Sequence, residues 1–203
     1  MSQDELNKVE IPAIAQLKQL GWEYSHGDTL TPTLCKQAGA ERSSYRDVEL
    51  VKQLNAPLKR LNPWISAENL RKVSREITHP VHAGLMEYNQ AFHQMLVNLT
   101  SVDQDLGKGR KGQSVRIIDF DTAGNNQFLC VSQFRVDGAN QNIIPDIVCF
   151  VNGIPLAVIE CKSPGVTNPI SDGINQLRRY ANLRRPFDDE GAQKLFWYNQ
   201  LMI

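Results

Sequence analysis

Residues 144–162 read IPDIVCFVNGIPLAVIECK, two apolar runs joined by Asn152-Gly153. Asn-Gly between apolar runs is the strongest short-range signal for a β-hairpin. A hairpin lays its two arms side by side, so its register decides whether polar residues at the arm ends meet or face apart. The polar residues there are Asp146 at the start and Glu160 and Lys162 at the exit.

In a strict two-residue hairpin, Asp146 faces Ile159 and Glu160 faces Pro145, and the two acids point to opposite sides of the sheet. A three-residue loop with Gly153 in the left-handed position sets Asp146 across from Val158, with Glu160 diagonally next on the same face. A bulge nearer the acids has the same effect. Convergence of the acids therefore requires one irregularity in this hairpin. Glu160 and Lys162, two apart on one strand, share a face without any further condition. Two converging carboxylates form a hard oxygen site suited to Mg²⁺, which takes one or two carboxylates together with water and phosphate oxygens. A lysine beside them orients a water or offsets developing charge, and the set is a minimal site for phosphodiester cleavage. The same residues are equally consistent with a solvated Asp at a strand start and a solvated Glu–Lys pair at a strand exit.

The segments around the hairpin favour an α/β chain. Residues 1–106 read mainly as helix. Ser2 and Glu5 have capping-box spacing, and Ile11, Ile14, Leu17 and Leu20 recur at helical intervals up to Gly21. Pro12 sits awkwardly in that run unless it marks the first turn of a shorter helix. Residues 22–44 read as an ordered polar loop, with further helices at 46–54, at 66–77 after a Ser66 cap, and at 83–99. GKGRKGQ (107–113) reads as a flexible basic link. Strands are expected at 114–120, 127–136, 145–151 and 154–162, then a helix at about 170–184 and a strand at 195–203. Strands, helix and strand after a helical lead-in imply a mixed central sheet flanked by helices. In the helix after the hairpin, Gln176 and Tyr180 are four apart and share a face, and Arg178, Arg179, Arg184 and Arg185 give it capacity to meet phosphate.

Composition bounds the partners. The 22 basic and 22 acidic residues cancel, so grip on a phosphate backbone must come from local clusters. Cys35, Cys130, Cys149 and Cys161 lie far apart, three of them in strand-like runs, and are expected to be buried free thiols rather than disulfides or zinc ligands. Cys161 is expected to point away from its acidic neighbours. With no apolar signal core at the start and no run of about 18 apolar residues, a cytoplasmic location without membrane contact is expected. GKGRKGQS nearly fits a phosphate-binding loop. Gln113, however, stands where that loop needs lysine, and a strand follows where a helix is required, so ATP binding by this chain is not expected.

From VRIIDF at 115 through SQFRV, VNGIPLAVIECK and QLRRY to LFWYNQL, the sequence resembles the nuclease domain of the R (HsdR) subunit of type I restriction enzymes. That domain belongs to the PD-(D/E)xK superfamily, in the RecB-like branch with a Q-x-x-x-Y motif. The early stretch EIPAIAQLKQLGW is similar to the lead-in of the same domain. The resemblance implies a restriction-endonuclease-like α/β fold in one nuclease domain, residues 1–203, with its core at 114–203. It implies that Asp146 and Glu160 bind Mg²⁺, with Mn²⁺ as a substitute, that Lys162 is the catalytic lysine, and that Gln176 and Tyr180 support the site and contact DNA. Glu10 matches a further metal-proximal glutamate of related nucleases; Glu87 competes for that role, and Glu10 also suits a plain helix N-terminal acid. Double-stranded DNA would be the substrate, specificity and methylation subunits the partners, and an ATP-driven motor would follow on a longer polypeptide, of which these residues look like a fragment. The readings left open are a different PD-(D/E)xK nuclease working without a motor and an inactive docking module.

Overall fold

The computed structural model of the chain describes residues 3–32, 41–107, 109–185 and 189–203. Its first helix, α1, is a continuous run of three pieces: Gln3–Glu5, a π-helical turn Leu6–Glu10, and Ile11–Gln19. The π-turn is closed by the Ile11 N–H on the Leu6 carbonyl, and Pro12 follows in the first α-helical turn. A proline ring clashes with the carbonyl four residues back, here Lys8, and the wider turn relieves that clash. Pro12 thus begins the regular helix, as expected, without ending the helical path before it. Ser2, the expected cap, lies outside the described residues.

Strand β1 (Glu23–His26) and a 3₁₀ turn (Gly27–Leu30) occupy the region expected to be loop. β1 pairs in parallel with β4 (Phe128–Ser132), a partner more than 100 residues away that no local pattern announces. Helices α2 (Val51–Leu61), α3 (Ala67–Thr78) and α4 (Leu85–Asn98) follow. Ser66 caps α3 by accepting from the Asn69 N–H. The helix expected at 46–54 starts only at Val51, because the Leu50 N–H is engaged by the Gly153 carbonyl at 2.9 Å.

Of the basic segment 107–113 expected to be a link, residues 110–113 belong instead to strand β3 (Arg110–Val115), paired antiparallel with β2 (Thr100–Asp105) and anchored by buried Val102 and Val115, while Lys108 lies outside the described residues. The strand expected at 114–120 ends at Val115, because the Asn62 side chain takes both the N–H and the carbonyl of Arg116. The run 127–136 is likewise cut: β4 stops at Ser132, and Gln133 adopts a positive φ of 54°. A short ribbon, β5 (Val136–Asp137) with β6 (Asn142–Ile143), precedes β7 (Ile147–Val151) and β8 (Ile154–Ile159). Helix α5 (Pro169–Tyr180), a 3₁₀ turn (Gln193–Trp197) and the short β9 (Leu201–Met202) complete the chain. The expected strand at 195–203 is therefore mostly a turn.

The main sheet runs β1-β4-β7-β8-β9. Its outer pairs are parallel and its inner pairs antiparallel, which gives the mixed sheet expected. All of β7 is buried because both faces of the sheet are covered. On one face Cys130, Ile147, Cys149 and Cys161 pack with Ile14 of α1. On the other, Val131, Val148, Phe150 and Val158 meet Leu50, Leu54, Val73, Phe92, Leu177 and Tyr180 of the loop–helix layer. Cys130, Cys149 and Cys161 are free, buried thiols as expected; Cys35 lies outside the described residues. No helix among the described residues is long and apolar enough to cross a membrane.

The β7–β8 turn is a true two-residue turn, with Asn152 and Gly153 at φ 51° and 76° and Val151 opposite Ile154. The α2 start sits directly upon it. A Cβ on Gly153 would lie 2.5 Å from the Leu50 carbonyl oxygen and 2.7 Å from the Leu54 nitrogen. Gly153→Ala is therefore expected to cost about 3 kcal/mol from backbone strain and overlap together. Urea unfolding measures this, and an unchanged midpoint contradicts the packing described.

Candidate active site

The hairpin keeps its tight turn and acquires its irregularity farther down. Val151–Ile154 and Phe150–Pro155 pair in strict register, but Cys149 then faces Ala157, and Val148 and Ile147 face Val158 and Ile159. The extra residue, Leu156, belongs to β8, and its carbonyl accepts from the Gln200 N–H and the Asn199 amide. One step beyond Ile147–Ile159 on that shifted register, Asp146 stands across from Glu160, on one face. The three-residue loop is thus not the solution adopted; a bulge toward the acids is.

Asp146 is buried, and its Oδ2 accepts the Cys161 N–H at 2.7 Å, so the side chain itself supplies the next rung of the ladder. Glu160 is buried too, with its Oε1 on the Lys162 ammonium at 2.7 Å. The same ammonium donates to the Cys161 carbonyl at 3.0 Å. Cys161 turns to the opposite face, into the cluster beneath α1, as expected. Glu160 Oε2 is buried and has no hydrogen-bond partner among the described residues. A buried carboxylate oxygen without a donor is costly, on the order of 1–3 kcal/mol, and marks a position that a ligand would complete.

Glu10, at the end of the π-turn, is 2% exposed and joins the group through Gln133. The Gln133 amide lies 3.3 Å from Glu10 Oε2 and 3.4 Å from Asp146 Oδ1. Glu87 is not part of the cluster; its carboxylate folds against Gly84 at the start of α4. Glu5 is a participant that sequence reasoning missed: its Oε2 accepts the Ser163 N–H at 3.2 Å, just past Lys162. In a regular α-helix, residues five apart lie about 140° apart. The π-turn brings Glu5 and Glu10 to the same side. Pro12 was the one trace of that turn in the sequence. Gln133, the second missed residue, left no trace, because its place depends on a positive φ that glutamine rarely adopts.

Among the described residues, no three His, Cys, Asp or Glu side chains are arranged to hold a metal ion as they stand. The pair Asp146 and Glu160 nonetheless fits Mg²⁺, which is held by one or two carboxylates with water filling the other positions, and the unpartnered Glu160 Oε2 supplies a free donor. Helix α5 closes the cluster. Gln176 donates to the Tyr180 hydroxyl at 2.6 Å, and that hydroxyl donates to the Ile144 carbonyl at 3.4 Å, tying the helix to the segment that carries Asp146. Tyr180 is 2% exposed, so its reach is to the protein main chain and not to the surface. Arg178 is exposed and donates to the Leu183 carbonyl, while the Arg179 guanidinium lies over the Tyr180 ring. Arg184 is engaged by Glu190.

The electrostatics follow from burial. Desolvation raises the pKa of Glu10, with Asp146 adding repulsion, and raises that of Asp146 against the pull of the Cys161 N–H. Glu160 is pushed up by burial to about 7 even though Lys162 opposes the shift. Between the ordinary glutamate value and 7, the folded chain therefore holds this proton more tightly than the unfolded chain. The associated stability is complete at acid pH and is lost as pH rises through 7. Glu160→Gln, which stays neutral, is expected to raise the melting temperature relative to wild type at pH 8 more than at pH 5, without divalent cation. The reverse order in thermal unfolding contradicts this assignment.

The family described as type I restriction enzyme R protein N terminus matches residues 2–203 of this chain. A putative type I restriction enzyme MjaIXP endonuclease subunit of Methanocaldococcus jannaschii is 35% identical over 188 residues, covering 86% of this chain and 18% of that protein. The type I restriction enzyme HindI endonuclease subunit of Haemophilus influenzae is 33% identical over 198 residues, covering 97% and 18% respectively. The chain thus spans under a fifth of the length of these relatives.

Proposed function

The chain belongs to the type I restriction enzyme R protein N-terminus family, and on that premise we propose that it is the nuclease part of such a subunit, hydrolysing phosphodiester bonds of double-stranded DNA with Mg²⁺. The observation that carries this reading is the register shift that faces Asp146 toward Glu160 with Lys162 beside them. Asp146 and Glu160 would hold the ion, and Glu10 stands beside Asp146 through Gln133. Bound Mg²⁺ supplies charge to the scissile phosphate and acidifies a water.

The residues of the chain do the rest. Lys162, pinned between Glu160 and the Cys161 carbonyl, presents one ammonium at a fixed point to orient the attacking water or offset charge on the phosphate. Gln176 and Tyr180 hold the Ile144 main chain, and through it the Pro145-Asp146 corner. Exposed Arg178 lines one cavity with Glu160 and Lys162, where it would meet a phosphate of the DNA backbone. With net charge zero, binding to DNA rests on these local contacts, without base preference, and weakens steeply as salt rises. Specificity and methylation subunits and an ATP-driven motor, outside these residues, would decide where cutting happens.

Asp146→Asn and Lys162→Ala, each in the full-length subunit assembled with its partners, are expected to lower ATP-dependent DNA cleavage by at least about 100-fold while leaving ATP hydrolysis in place. Cleavage at the wild-type rate in either variant contradicts the catalytic assignment and favours a docking module. ATP-independent cutting by the chain alone at a comparable rate favours a nuclease without a motor. Because Mg²⁺ would compete with the proton that burial holds on Glu160, the Mg²⁺ concentration needed for half-maximal cleavage by the wild type is expected to fall as pH rises through about 7.

A further inference from the structure

Gln133 holds an unusual backbone for its residue type. It has a φ of 54°, where L-residues other than Asn, Asp and Gly are uncommon, at the point where β4 ends. Its surroundings among the described residues fix it there. Its N–H donates to the Asp146 carbonyl at 2.9 Å. Its own carbonyl oxygen is so close to Gly27 that a Cβ there would lie 2.1 Å away, and only glycine fits opposite it. Two residues on, buried Arg42 donates to the Arg135 carbonyl and lies over the Phe134 ring, fixing the chain after the turn.

The product of this strain is a side-chain amide aimed between two carboxylates that repel each other. Its nitrogen reaches Glu10 at 3.3 Å and Asp146 at 3.4 Å, and its hydrogen bond opposes the upward pKa shift of both acids. Glu10 comes from α1 and Asp146 from the bend that enters β7, so the amide joins acids from two parts of the fold. We infer that Gln133 is the positioning residue of the cation site: it holds Glu10 and Asp146 turned toward one point so that a divalent cation meets them already oriented. This rests on the proposed Mg²⁺-dependent nuclease reading. Groups that orient metal-binding side chains, though they do not touch the metal, typically contribute 10–100-fold to its affinity.

Asparagine separates this role from a merely structural one. It tolerates positive φ better than glutamine and keeps the amide, but it is one methylene too short to bridge both acids. Gln133→Asn and Gln133→Met are compared with wild type and Asp146→Asn in the 203-residue chain. Mn²⁺ binding is followed by the electron paramagnetic resonance signal of the free ion, and folding by urea unfolding. Gln133→Asn is expected to keep or raise the unfolding midpoint while weakening Mn²⁺ binding at least about 10-fold, with Gln133→Met weakening it similarly and Asp146→Asn abolishing it. Wild-type Mn²⁺ affinity in Gln133→Asn, with Asp146→Asn still inactive in binding, overturns the role of Gln133 alone. No Mn²⁺ uptake by wild type at millimolar ion, or uptake undiminished in Asp146→Asn, overturns the cation site itself and this inference with it.

Discussion

A single extra residue in β8 sets the chemistry of the molecule. The Asn152-Gly153 turn is strict, and carried unbroken to the strand ends it would leave Asp146 and Glu160 on opposite faces of the sheet. Leu156 shifts the ladder by one and turns both acids to the same side. Neither end of this arrangement is supported locally. The turn is locked by Asn152, whose side chain bonds the main chain of Gln127 and Ile117 and the Asn126 amide, and by the α2 start on Gly153. The bulge is held by Asn199 and Gln200, which take up the Leu156 carbonyl. Segments from both halves of the chain converge on one hairpin to fix its register.

That register creates a local electrostatic conflict. Three buried carboxylates, Glu10, Asp146 and Glu160, share a region with one ammonium, Lys162, and Glu5 adds to the repulsion felt by each. Burial raises the proton affinity of all three, and among the described residues one Glu160 oxygen has no donor. A chain selected for stability alone would not gather such groups. Their destabilising effect is tolerated where surrounding packing over-determines the geometry, here the fully covered β7 and the glycine-enforced corner at Gln133. The same features that make the site costly in isolation suit it to a divalent cation.

Much of this was legible in the residues. Asn-Gly between VCFV and IPLAV specified the hairpin, alternation put Glu160 and Lys162 together and turned Cys161 inward, and the need for an irregularity followed from the turn itself. Its location did not, because Leu156 is an ordinary apolar residue and its carbonyl partner lies 44 positions later in the chain, at Gln200. β1 was invisible for the same reason: Glu23–His26 is polar, and its strand character comes from β4 alongside it. The basic run at 107–113 carried the composition of a linker, yet from Arg110 onward it pairs into a ribbon that buried Val115 anchors. Gln133 lay beyond sequence reasoning because its positive φ is set by tertiary contacts, and Glu5 because Pro12 alone does not specify the π-turn that brings it beside Glu10.

In the proposed site, Asp146 and Glu160 together would hold one divalent ion. Crystals of the chain soaked in Mn²⁺ and measured at the manganese edge test it most directly. The expected result is one anomalous peak within about 2.3 Å of a carboxylate oxygen from each of Asp146 and Glu160, with Glu10 beside it. An ion bound elsewhere, or the two carboxylates on opposite faces of the sheet, would contradict the account.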